Sequence, residues 1–266
     1  MRFEYYIICT LVLAIQGHTL LGQDEFKRVN ASENWVLQFS DPCTENWQDH
    51  WFLDGKIATV KNGENGMNFR AGPVNRNDAH HAVLWTKESF EGDVKIEYNY
   101  SRTDSQKINV NILYIQATGI GKGPYQKDIS QWNSLREVPA MSLYFKNMKT
   151  LHVSYAAYGT DHDDLWTDYI RVRQYPVTEN IKFADIAIQP DFYDTGLFLP
   201  GKTYQITAIK TKTKLFFTVE GDGKFREYSW DLNKPEGIEE GRIGLRHMYT
   251  RSATYSDFKV WIKRKK

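Results

Sequence analysis

Gly241–Trp261 reads G-R-I-G-L-R-H-M-Y-T-R-S-A-T-Y-S-D-F-K-V-W. Within its first and last thirds, apolar residues fall at alternate positions, the period of a β-strand rather than a helix. The stretch therefore predicts a hairpin: a G-x-I-G-L-R strand, a short loop, and a strand of the form aromatic-Asp-Phe-x-Val. Ile243 and Leu245 face a core, while Gly244 and Arg246 face outward, the glycine leaving open space beside the arginine. Leu197–Glu220 follows the same logic, with strand entry, a Pro200-Gly201 turn, T-Y-Q-I-T-A-I-K, a polar turn and K-L-F-F-T-V-E.

Working outward, short alternating segments bounded by turn residues cover the chain. They are Asn34–Phe39, Lys56–Val60, His81–Trp85, Asp93–Tyr100, Lys107–Ile115, Met141–Phe145, Leu151–Ala157 and Asp168–Tyr175. Lys182–Ile188, Thr203–Lys210, Lys214–Glu220, Phe225–Trp230, Gly241–Tyr249 and Tyr255–Ile262 complete the set. Turn signals sit at Asn62–Gly66, Glu91-Gly92 and Gly221-Asp222-Gly223. About fourteen strands at this spacing predict an all-β, two-sheet sandwich. No amphipathic helix exceeds two turns, and no linker, repeat or low-complexity stretch divides the chain, so a single domain over 23–266 is expected.

The first 22 residues read as a secretory signal: one arginine in Met1–Tyr6, a short apolar run over Ile7–Gly17, and cleavage near Gly22 or Gln23. That run is shorter than the roughly 20 residues a membrane span needs. The expectation is an exported protein, periplasmic or secreted, with no membrane span. Removal of the signal takes Cys9 with it and leaves Cys43 as the remaining cysteine, which excludes an internal disulfide. Thirty-four Lys plus Arg against 33 Asp plus Glu gives neither the basic excess nor the stripe of a nucleic-acid binder. Aromatic residues make up 14% of the chain, with 8 Trp and 16 Tyr, and can serve either as core or as sugar platforms.

Tyr169, Arg171, Arg173 and Tyr175 alternate with Ile170 and Val172 in D-Y-I-R-V-R-Q-Y-P. One strand face would then carry two guanidiniums, which fork onto carboxylates or sulfates, flanked by two phenols that stack on sugars. In L-H-V-S-Y-A-A-Y-G, His152, Ser154 and Tyr158 share the face opposite Leu151 and Val153. In I-N-V-N-I, Asn109 and Asn111 share the face opposite Ile108, Val110 and Ile112. Of His80 and His81, His81 is favoured for the non-core side. Each of these can equally be a solvated strand face. Asp161-His162-Asp163-Asp164 looks like a hard-cation loop but has no EF-hand spacing, so no metal or cofactor is expected beyond a structural calcium.

No His-Glu-x-x-His, Cys-rich zinc spacing or Gly-x-Ser-x-Gly elbow occurs, and no Glu-x-Asp-x-Glu strand supplies the paired carboxylates of a glycosidase. The palette of His, Tyr, Arg and Asn suits β-elimination on a uronic acid instead. Arg171 holds the carboxylate, His152 removes the adjacent proton and Tyr158 protonates the leaving oxygen, with exchange of these two roles or transfer of the base to His81 as alternatives. Asn109, Asn111, Ser154, Tyr169, Arg173, Tyr175 and Arg246 are the expected substrate contacts. A glycoside hydrolase and a non-catalytic carbohydrate-binding module remain the alternatives.

The Gly241–Trp261 hairpin resembles the closing hairpin of concanavalin A-like jelly rolls. Together with His152-Val153-Ser154-Tyr155, the Arg171 strand and Y-D-T-G-L-F at Tyr193–Phe198, it makes Asn34–Trp261 similar to the bacterial domain-of-unknown-function family numbered 1961. The resemblance implies a jelly-roll β-sandwich from gene neighbourhoods for pectin-type and algal polysaccharide use. It also implies likeness to small secreted enzymes of marine flavobacteria that dehydrate or cleave uronate oligosaccharides from ulvan. The partner it implies is an acidic oligosaccharide or polysaccharide. The chain departs from some relatives at Asp161–Leu165, where they carry more arginines, so their substrate preference does not transfer.

Overall fold

The computed structural model describes residues 24–159, 167–232 and 237–264. The signal-like segment and the Asp161–Asp164 loop lie outside the described residues. Strand accounts for 50% and helix for 12%, as the alternating pattern requires.

Two antiparallel sheets face each other. The first runs β14 (Lys224–Asp231), β13 (Lys214–Gly221), β12 (Thr203–Lys210), β7 (Val94–Arg102), β16 (Ser252–Lys263), β4 (Gly66–Arg70) and β3 (Thr59–Gly63), with β1 (Trp35–Asp41) also on β16. The second runs β11 (Ala187–Tyr193), β10 (Tyr169–Tyr175), β9 (Met148–Ala157), β8 (Asn111–Gly119), β15 (Glu240–His247), β5 (Ala82–Thr86) and β2 (Trp51–Asp54), with β6 (Phe90–Glu91) also on β15. The predicted hairpin is therefore divided: β15 sits in one sheet and β16 in the other, so the chain crosses the sandwich at 248–251. Between the sheets lies one core in which Ile243 and Leu245 meet Val153, Ile206, Phe217 and Phe258. Cys43 is fully buried in that core, and burial, with the Asp41 carboxylate beside it, pushes its thiol pKa far up.

The outward face of the second sheet is covered as well. A 3-10 stretch, Ile129–Arg136, and a short helix, Met141–Asn147, lie over its β2–β5–β15–β8 half and form a second apolar layer with Val83, Trp85, Ile112 and Tyr114. The expected strand Met141–Phe145 is thus a helix. Met141, Tyr144 and Phe145 fall at i, i+3 and i+4 and point one apolar stripe at the sheet, a period the alternation of Met141, Leu143 and Phe145 had masked. Asp54 ties the cover down. Its Oδ2 accepts from Arg136 Nε (2.5 Å), Trp85 Nε1 (2.7 Å) and Tyr144 Oη (2.8 Å), and its Oδ1 accepts from Asn133 (2.6 Å). Both Asp54 and Arg136 are fully buried.

Candidate functional site

Cross-strand register fixes the neighbours on this outward face. One row runs Arg173, His152, Tyr114, Gly244, Trp85; the next runs Arg171, Ser154, Ile112, Arg246, Val83. Arg171, Arg173, His152, Ser154 and Arg246 therefore share one side of one sheet. Tyr169 and Tyr175 lie on that side too, but both are buried in the second apolar layer. The space expected beside Gly244 is filled by Trp85: a Cβ on Gly244 would stand 2.4 Å from the indole ring.

Arg246 is completely buried. Its Nη2 lies 2.5 Å from His81 Nδ1 and donates to Pro139 O at 2.6 Å, and its guanidinium stacks on Tyr144 at 4.5 Å. Nε and Nη1 make no hydrogen bond of normal geometry, the Tyr114 hydroxyl being the polar group beside the guanidinium, and no carboxylate pairs with it among the described residues. His81 sits on the outward side as favoured, its ring 4.4 Å from that of Tyr249. Burial first, then the Arg246 charge, pushes its pKa down to about 2, so it is neutral. His152 Nδ1 lies 2.6 Å from Tyr175 Oη and Nε2 lies 2.7 Å from Ser154 Oγ. Desolvation, then Arg173 and Arg246, hold its pKa well below the usual histidine range. Tyr114 meets the His152 ring edge-on at 5.8 Å. Its pKa is raised by burial, against which the Arg246 charge acts.

Arg173 is half-buried, with its guanidinium 4.8 Å over Phe183 and its Nε without a partner. Burial, then Arg171, lowers its pKa. Arg171 is already neutralised: its Nε donates to Asp191 Oδ2 at 2.6 Å and its Nη2 to Tyr193 Oη at 2.9 Å. The expected carboxylate holder is thus occupied, and Arg246 is the guanidinium left uncompensated.

Three expectations are corrected. Tyr158 is not on the His152 face. Ala156 takes a positive φ of 44°, which breaks the alternation, and the Tyr158 hydroxyl accepts from Arg102 Nη1 of the opposite sheet at 2.9 Å. Asn111 points inward, donating to Tyr100 Oη between the sheets, because β8 turns Leu113 and Ile115 to the main core and Ile112 and Tyr114 outward. Asn109, at φ 68°, precedes the strand and bonds Asn75. Tyr114 and Asp191 were missed. The first sat in an apolar run with no polar alternation, and the second lies past a register shift between Ile170 and Val172.

A cleft of about 470 Å³, separate from these buried groups, lies between Gln189-Pro190 and Ser229–Asp231. Among the described residues no group of three His, Cys, Asp or Glu side chains is placed to hold a metal.

No family model matches the chain, and no curated protein matches it. Solved structures do. A protein of unknown function with a galectin-like fold from Bacillus subtilis aligns at a TM-score of 0.62 and 17% identity, over 86% of this chain and 98% of that one. Basic winged bean lectin, solved with Tn-antigen, aligns at 0.57 and 7% identity, over 85% and 98%. The exoplasmic/lumenal domain of VIP36, solved with Ca2+ and Man3GlcNAc, aligns at 0.56 and 10% identity, over 87% and 91%. The fold is the lectin-type jelly roll.

Proposed function

We propose that the chain is an exported carbohydrate-active lyase that binds uronate-containing oligosaccharides, sulfated or not, such as ulvan fragments on the outward face of its second sheet. The observation that carries the reading is Arg246, a buried guanidinium with two nitrogens unpartnered and no counter-ion, set beside two neutral histidines. Leaving such donors unsatisfied costs about 1–3 kcal/mol, more for a charged group, and a ligand carboxylate would recover it. The sugar-bound lectins among the structural neighbours share the fold, and the family resemblance points to the same substrate class.

Arg246 neutralises the uronate carboxylate and acidifies the C–H beside it. His152 donates Nδ1–H to the Tyr175 oxygen, so its Nε2 carries a lone pair. Turning the Ser154 hydroxyl away frees that lone pair to take the proton. The electron pair left behind forms the new C=C bond as the C–O bond at the β carbon breaks. Tyr114, opposite His152 and beside Arg246, gives the leaving oxygen its proton and takes the place assigned to Tyr158. The arriving carboxylate also cancels the arginine charge that depresses His152, so binding itself makes the histidine a better base.

Incubation with a panel of uronate oligosaccharides tests this: a conjugated product absorbing in the ultraviolet is expected from wild type. Loss of one such charge-stabilising group costs about 10²–10³-fold in turnover. His152→Ala and Arg246→Ala should therefore nearly abolish the absorbance, with His81→Ala reporting on the rival base. Shortening of the sugar without absorbance means hydrolysis.

A second reading, a non-catalytic binding module, draws on the near-complete burial of His152, His81 and Arg246, the last under Pro139 and Tyr144. Binding that leaves the sugar unchanged would select it.

A further inference from the structure

The cover over 129–147 reaches β10 through Phe145, which meets Tyr175, and beyond that contact the outward face carries half-exposed rings beside cations. Tyr193 is 44% exposed, yet it does not move freely: its hydroxyl accepts from Arg171 Nη2 and donates to Asp191 Oδ2 at 3.0 Å. Its ring leans on that of Tyr169, 6.3 Å away. Phe183 is 43% exposed and is held edge-on by Phe145 at 5.1 Å, with the Arg173 guanidinium on its face. Tyr193 pairs with Tyr169, and Phe183 lies on Arg173, four residues further along β10. At ~3.3 Å per residue of extended strand, the backbone positions of Tyr169 and Arg173 that carry the two rings are about 13 Å apart. Between them, Asp191 Oδ1 has no hydrogen-bond partner and Arg173 Nε none either. Two exposed aromatic rings, each immobilised by its neighbours, thus flank buried, unpartnered polar atoms of Asp191 and Arg173.

We infer that Tyr193 and Phe183 form a shelf for the sugar residues that flank the uronate held at Arg246, so that the ligand is an acidic oligosaccharide longer than a disaccharide. The inference rests on the carbohydrate reading above. Rings fixed before binding lose little conformational freedom when a sugar stacks on them, which is why exposed aromatics held this way contribute affinity. Arg173, half-buried against Phe183, faces the carboxylate of the next acidic unit. The sharing of Asp191 by Arg171 and Tyr193 keeps the shelf rigid; its sequence signal, Y-D-T-G-L-F after a tyrosine-arginine strand, gives no hint of the pairing.

Calorimetric binding of uronate disaccharide and hexasaccharide to the full chain tests it, read as the ratio of the two affinities. Wild type should bind the hexasaccharide more tightly. Tyr193→Ala and Phe183→Ala should each shrink that gain by about three- to tenfold, the worth of one aromatic contact, and Tyr193→Phe, which keeps the ring but frees it from Arg171 and Asp191, should shrink it less. Equal affinities for both lengths in wild type, or aromatic variants that keep the full gain, overturn the shelf while leaving the Arg246 site standing. Absence of binding at either length overturns both.

Discussion

Arg246 separates a functional from a structural reading at the scale of one residue. A buried cation without a partner is a burden on the fold, and replacing buried charge by an apolar side chain of similar volume is often neutral or stabilising. Arg246→Met should therefore leave the thermal midpoint unchanged or raise it, while ligand binding is lost. A loss of stability by several kcal/mol would instead make the guanidinium part of the scaffold. The contrast with Arg136 is instructive: it is equally buried, but Asp54, Trp132 O and Ile129 O satisfy it, so its role is to hold the cover.

Among elements, legibility followed how many faces of a sheet are covered. Thr203–Lys210 was read with the bounds it has, and Lys214–Gly221 within one residue, although α1 (24–30) also sends Phe26 against Ile209 and Phe216. Strands of the second sheet are buried on both sides, so N-I-L-Y-I offers no polar phase and the side of Asn111 was assigned wrongly. Trp51–Asp54 and Gly66–Arg70 were missed altogether, being short and rich in aromatic, Gly and Asn residues without clear alternation. The candidate site was legible as residue types on β9 and β10, but its centre, Arg246 with His81 and Tyr114, depends on register between strands far apart in sequence. The second layer has its own test. Gly244→Ala places a methyl against an indole that is backed by Tyr114, stacked at 5.3 Å, and cannot retreat. Overpacking of this kind costs about 1–3 kcal/mol, and urea unfolding should show it as a lower midpoint with the same slope.

For the whole molecule, three histidines are folded in neutral form: His81, His152 and His247, the last pushed down to about 3 by burial and then by Arg251. Each has a folded pKa below its unfolded value of about 6.5, so the unfolded chain binds protons that the native one refuses. Stability is therefore complete above about pH 6.5 and falls as the solution is acidified below it, by up to about 1.4 kcal/mol per pH unit for each histidine. Urea midpoints measured from pH 8 to 4 should fall over the acid half of that range, and His247→Gln should make the fall shallower.

The uncompensated guanidiniums on one sheet face have a kinetic consequence. The chain as a whole is close to electroneutral, 34 basic against 33 acidic side chains, so it projects little field beyond the ~8 Å over which physiological salt screens charge. An approaching polyanion is not steered from a distance; it meets the cations only once it is already in contact. Added salt should thus leave the association rate nearly constant and act on how long the ligand stays.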